Sequence, residues 1–230
     1  MVVHNRPVAK MPVIIKRHYD DKVLYEAPAA ETLKDALEQA VADNARLVGA
    51  NLDGANLDGV HLVNASLDSC SLVNANLVNA SLDGCSLVSA ILVSADLDGA
   101  SLVNASLVNA RLDNARLDSC NLVNANLINA RLDNASLANA RLPTGETWDE
   151  YITQVVPALL TAGGRELAAV ATEQTWACHT WENCPIAEAF ETHGLFDVPM
   201  LLRPRVEQFL QLFDARVIPL EAVLRTAAAS

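Results

Sequence analysis

Between Arg46 and Leu142 the hydrophobic positions follow neither of the usual periods. Leucine stands at 47, 52, 57 and every fifth position to 142, twenty times without exception. Two places before each leucine is a small apolar residue: Ala in sixteen units, Cys in three (Cys70, Cys85, Cys120) and Val60 once. A helix turns about 100° per residue, so steps of five spread the leucines around the whole circumference. A continuous strand fails too, because five is odd and successive leucines would face opposite sides. The pattern fits a chain that turns a corner at each fifth residue, where Gly49, Gly54, Gly59, Asn64, Ser69 and their successors tolerate turn backbone. Four such sides close a square coil, and coils stack at about 4.8 Å with backbone groups bonded between them. The prediction is a mainly β solenoid of about five coils, with leucine inside and the small residue making room for it.

The flanks follow ordinary periods. VIIKRHYDDKVLYE (13–26) alternates like a hairpin, with Asp20-Asp21 at its turn. ETLKDALEQAVADN then offers Thr32 as an N-cap with Asp35 three residues on, and Leu33, Leu37, Ala40 and Val41 on one helical face. This helix leads straight into the first unit and is expected to form the lid on the first coil, since an exposed coil end invites pairing. After Leu142, Pro143 ends the repeat in this reading. Thr147 with Glu150 forms a second capping box, opening a helix with Trp148, Ile152, Val155 and Leu159 inward, stopped by Gly163-Gly164. Further helices are expected at 165–174, 185–192, 203–215 and 219–229. The domain division is therefore 1–44 for the hairpin and capping helix, 45–144 for the repeat, and 145–230 for a C-terminal α-helical domain.

The units ANLDG ANLDG at 50–59 and ADLDG at 95–99 resemble the A-(D/N)-L-X-X signature of the pentapeptide-repeat proteins. The resemblance covers the array and implies a right-handed quadrilateral β-helix. Some members of that family mimic duplex DNA and bind a type II topoisomerase such as DNA gyrase, so the resemblance supplies that role as an alternative. LDSCSLVNANLVN (67–79) recurs as LDSCNLVNANLIN (117–129). Recent internal duplication or deliberate consensus design each accounts for that regularity.

Charge changes the picture of function. The chain nets −12: −1 from residues 1–44, −4 from the array (five Arg against nine Asp) and −7 from 145–230. An acidic surface excludes bulk electrostatic binding of nucleic acid. A DNA mimic needs a strongly negative rod, and Arg111, Arg116 and Arg131 interrupt this one. No apolar run approaches the ~20 residues of a spanning helix, and MVVHNRPVAK lacks the apolar core of a signal peptide. Five cysteines, three of them inside the repeat, point to reduced thiols and a cytoplasmic setting.

Candidate chemistry is sparse. TWACHTWENC (175–184) brings Cys178, His179 and Cys184 near His193, four residues of zinc-ligand type, but without paired Cys-x-x-Cys spacing. Trp176, Trp181 and Pro185 fit a helix junction instead, which leaves a zinc-binding or enzymatic role for the C-terminal helices as a further alternative. Cys70, Cys85 and Cys120 read as enlarged alanines, buried and inert. No catalytic cluster and no cofactor site stands out. Residues twenty apart stack, which places Val88, Val103, Val108, Val123 and Ile128 in one outward apolar stripe. Such stripes mark partners. The expected occupant is a second copy of the chain, making a homodimer, or the chain's own C-terminal helices. The reading is a non-catalytic scaffold or interaction protein.

Overall fold

The computed structural model describes residues 11–162, 164–172, 185–190, 198–214, 218, 220, 221 and 223. The chain begins with an antiparallel hairpin, β1 (Val13–Lys16) and β2 (Val23–Ala27), followed by α1 (Leu33–Ala42). Asp21 takes a positive φ of 56° at the hairpin turn. Arg17 pairs with Asp20 and holds its carboxyl down at about 2. Thr32 and Asp35 form the reciprocal capping box at the start of α1, and Ala36, Leu37 and Ala40 are its buried face.

The array is a β-helix whose coil is twenty residues long. Parallel bridges link residues twenty apart, from Asn51 with Ser71 to Asn121 with Arg141. Units with a coil on either side use their backbone in the same way. The N–H of the second residue reaches the coil before it (Ser71 N to Ala50 O, 2.9 Å), and its C=O accepts from a leucine there (Leu52 N to Ser71 O, 2.7 Å). The fifth residue's N–H donates to a C=O in the next coil (Gly54 N to Val73 O, 2.8 Å). The small residue then closes the corner by donating three positions back (Ala55 N to Leu52 O, 3.1 Å). Each side contributes one bridged residue, too short for a continuous strand run.

The corners depend on backbone that few residues adopt. Every fifth position from Gly49 to Asn139 has a positive φ between 55° and 76°, as the third residue of a type II turn requires. Thr144, the next in sequence, is β-branched and does not adopt it. Gly145 does, at 99°, and there the chain leaves the coil. Pro143 does not end the repeat, because its C=O still accepts from Asn124 N at 2.8 Å. Inside, the twenty leucines are all buried, from 0 to 5% exposed.

The lid on the first coil is more than a helix. The hairpin itself pairs with the solenoid edge: Asn51 N donates to Lys16 O at 2.7 Å and His18 N to Gly49 O at 2.9 Å. From α1, Lys34 Nζ donates to Asp58 O at 2.6 Å, and Glu38 Oε1 accepts from His61 N at 2.8 Å.

After the array come α2 (Trp148–Glu150), a π-helical turn (Tyr151–Val155), α3 (Val156–Thr161), α4 (Leu167–Val170), α5 (Pro185–Phe190) and α6 (Arg203–Asp214). The Thr147–Glu150 capping box is present. The regular helical register expected beyond it is broken by the π turn, in which Val156 N donates to Tyr151 O. Pro157 follows directly; it has no N–H and its ring crowds the carbonyl four back, and the widened turn relieves both. The inward face rotates accordingly. Tyr151, Ile152, Val156, Leu159 and Leu160 are buried, while Trp148 and Val155 are only half-buried.

Two outcomes test this fold. Leu97→Ala empties part of a fully buried column and is expected to cost about 3–5 kcal/mol in chemical denaturation. The capping carboxylates set an acid limit. Hydrogen bonds from Thr32 and Thr147 hold Asp35 and Glu150 below the usual carboxylate range, and Arg17 does the same for Asp20. Depressed native values mean stability that is present above the unfolded carboxylate range near pH ~4 and lost as pH falls through the native values. Thermal melts followed by circular dichroism should therefore show the melting temperature dropping between about pH 4 and pH 2.

Candidate functional site

Four outer faces arise because residues twenty apart stack. On the first, the second positions are Arg46, Ser66, Ser86, Ser106 and Asn126, and the fourth are Val48, Asp68, Val88, Val108 and Ile128. The adjoining face carries His61, Ser81, Ser101, Asn121 and Arg141 with Val63, Asp83, Val103, Val123 and Pro143. The other two faces hold Arg111, Arg116 and Arg131 with Asp96, Asp98, Asp113, Asp118 and Asp133.

Aspartate at a fourth position has a structural use. Ser71 Oγ donates to Asp53 Oδ1 at 2.5 Å, and Val73 N donates to the same oxygen at 2.9 Å. Asp68 accepts likewise from Ser86 and Val88, Asp83 from Ser101 and Val103, and Asp118 from Ser136 and Ala138. Each carboxylate ties one coil to the next. Where the residue eighteen positions on is arginine, an ion pair replaces the hydroxyl: Arg116 with Asp98 at 3.2 Å, and Arg131 with Asp113 at 3.1 Å. Arg116 also reaches Asp96 at 2.8 Å in the coil before it and Asp118 at 3.7 Å in its own, so one guanidinium joins two coils. The signal was present in the sequence. Every fourth-position aspartate whose position eighteen on lies in the array meets Ser, Asn or Arg there, whereas the acidic Asp96 lies eighteen beyond Val78.

The stripe residues are brought together on the two adjoining faces, but mostly not as a protruding surface. Val88, Val103, Val108 and Val123 are half-buried, because the residues twenty before and after shield each one. Ile128, in the last coil, is 48% exposed. Beside it α6 approaches: Gln208 accepts from Thr144 Oγ1 at 2.8 Å and donates to Glu146 Oε1 at 3.1 Å.

Cys70, Cys85 and Cys120 lie buried in the small interior position. Burial pushes each thiol up to about 12. Cys70 Sγ donates to Leu47 O and Cys85 Sγ to Ala65 O, both at 3.1 Å. Cys178, His179, Cys184 and His193 lie outside the described residues. Among the described residues, no group of three or more His, Cys, Asp or Glu side chains is placed to hold a metal ion. No helix among them is long and apolar enough to cross a membrane. The three interior thiols should resist iodoacetamide in the native chain at pH 8 and react fully once guanidinium unfolds it; mass spectrometry of tryptic peptides reads both states.

Comparison with known proteins places the array. Residues 37–68, 45–84, 70–109, 80–118 and 110–143 match the family profile described as pentapeptide repeats (8 copies). No curated protein matches the chain. Among solved structures the chain is similar to the pentapeptide repeat protein Rfr23 of the cyanobacterium Cyanothece. The identity is 37% over 40% of this chain and 62% of that one, with a TM-score of 0.38. It is also similar to a pentapeptide repeat protein of the Arabidopsis thaliana thylakoid lumen, 24% identical over 47% of this chain and 74% of that one, with a TM-score of 0.42. A third is QnrB1, a plasmid-mediated fluoroquinolone resistance protein, 18% identical over 40% of this chain and 60% of that one, with a TM-score of 0.29. The chain thus spans less than two thirds of the length of Rfr23 and of QnrB1. The profile match runs from residue 37 to residue 143, so this part of the chain carries pentapeptide repeats.

Proposed function

We propose that this chain is a non-catalytic protein-interaction scaffold, a rod of about five coils between a hairpin–helix cap and a C-terminal helical unit. Its main interface is the pair of adjoining neutral faces, and a second copy of the chain is the occupant. The observation that carries this reading is the segregation of charge. From Ser86 to Val123 these two faces hold Ser, Asn and Val at their outward second and fourth positions, while the array's remaining Asp and most of its Arg lie on the other two. Asp68 and Asp83, nearer the start, are engaged by Ser86 and Ser101. Copies that each carry −12 repel one another through any acidic face. A neutral aliphatic face avoids that repulsion, and a twofold axis through it makes the contact self-complementary.

The DNA-mimic alternative draws less support. Arg116 and Arg131 pair with Asp96, Asp98, Asp113, Asp118 and Asp133 and offset part of their charge where they stand. Sedimentation velocity tests the scaffold reading. The native chain is expected to run as a dimer, and Val108→Asp, which puts a charge on the neutral face, should raise the dissociation constant at least about tenfold with an unchanged circular dichroism spectrum. A native chain that is monomeric at every concentration tested rules out the second copy.

A further inference from the structure

We propose that the C-terminal rim of the β-helix binds an extended segment of a partner protein, added as a parallel strand. The site lies at the last-coil end of the neutral faces, sharing Ile128 with them, and rests on a contrast between the two ends of the solenoid. At the first coil, Lys16, His18, Lys34 and Glu38 engage the open backbone groups. At the last coil, among the described residues, only one side is treated this way: Leu142 N donates to Glu146 O at 2.8 Å, and Trp148 N to Ala140 O at 2.7 Å. Among the described residues, the N–H groups of Leu127, Asn129, Leu132, Asn134, Leu137 and Asn139 have no acceptor. One coil earlier the equivalent groups are bonded, as Leu107 N to Asn126 O at 2.8 Å and Asn109 N to Ile128 O at 2.9 Å. The leucine column beneath this end is covered, with Leu132 and Leu137 only 2% and 3% exposed. The end is sealed against water at its centre and unpaired along its rim.

One side of that rim opens on a cleft. About 280 Å³ lies between Asn126, Leu127 and Ile128 on the last coil, Pro143 at its edge, and Pro204 and Glu207 on α6. Along this side the solenoid offers, in order, the C=O of Ala125 and the N–H groups of Leu127 and Asn129. An incoming parallel strand answers with one N–H and two C=O groups, the pattern by which each coil already holds the next. An exposed strand edge with unpaired backbone groups is a template for another chain, which is the driving force for the added strand. Ile128 and the two prolines favour an aliphatic side chain in the segment, and the exposed Glu207 favours a lysine or arginine beside it. The partner is therefore a neutral-to-basic extended peptide. The chain's own first coil cannot serve, because its edge is already occupied by the hairpin.

The test uses the full chain and a fluorescein-labelled peptide, KASLVNASLVN, which copies residues 100–109 behind a lysine. Fluorescence anisotropy should show saturable binding with a dissociation constant on the order of 10–100 μM. Methylating the backbone nitrogens of both serines removes the donor meant for Ala125 and should weaken binding at least about tenfold. Ile128→Arg should do the same without altering the circular dichroism spectrum. No binding at millimolar peptide, or equal binding of the methylated peptide, overturns the proposal. So does a dimer that Ile128→Arg splits and Val108→Asp leaves intact, since a second copy then holds the rim.

Discussion

The structure depends on a backbone constraint at every fifth residue. A side five residues long closes a coil only if the chain turns through the same corner each time, and that corner needs a residue with positive φ. Asn, Gly and Ser supply it from position 49 to position 139. Once the corners repeat, residues twenty apart must stack, the backbone of each coil finds its partners in the next, and leucine has nowhere to point but inward. The array stops where this condition fails, at Thr144, rather than where the first proline occurs.

Stacking also decides what the surface can do. A fourth-position side chain inside the stack is flanked by those twenty residues before and after it, so Val88, Val103, Val108 and Val123 are half-buried even on an outer wall. Aspartates there are drawn into bonds with the next coil's serines and arginines. The arginines leave the array a net charge of only −4, and the serine bonds hold Asp68 and Asp83 against the wall. That is the physical ground for favouring neutral protein contact over imitation of a polyanion.

The two ends are treated differently. At the start, hairpin backbone and α1 side chains together meet the open edge. At the finish, the chain turns away after one side, and the helices that follow cover the leucine column more completely than the rim.

The sequence by itself determined the coil. Period-five leucine, the small residue before it and turn-tolerant corners are local requirements, and each is written in the residues that satisfy it. Both capping boxes were legible for the same reason, since Thr32 with Asp35 and Thr147 with Glu150 act across three residues. Even the pairing of aspartate with a donor eighteen positions on was legible, once the twenty-residue coil gave that spacing a meaning. Only the tertiary structure decided the rest. Pairing of Lys16 and His18 with the first coil depends on where α1 sets the hairpin, and half-burial of the stripe valines depends on neighbours a full coil away. The π turn at Tyr151–Val155 reflects Pro157 meeting a helix already fixed by its cap. These outcomes come from contacts between segments distant in the chain, which no local pattern encodes.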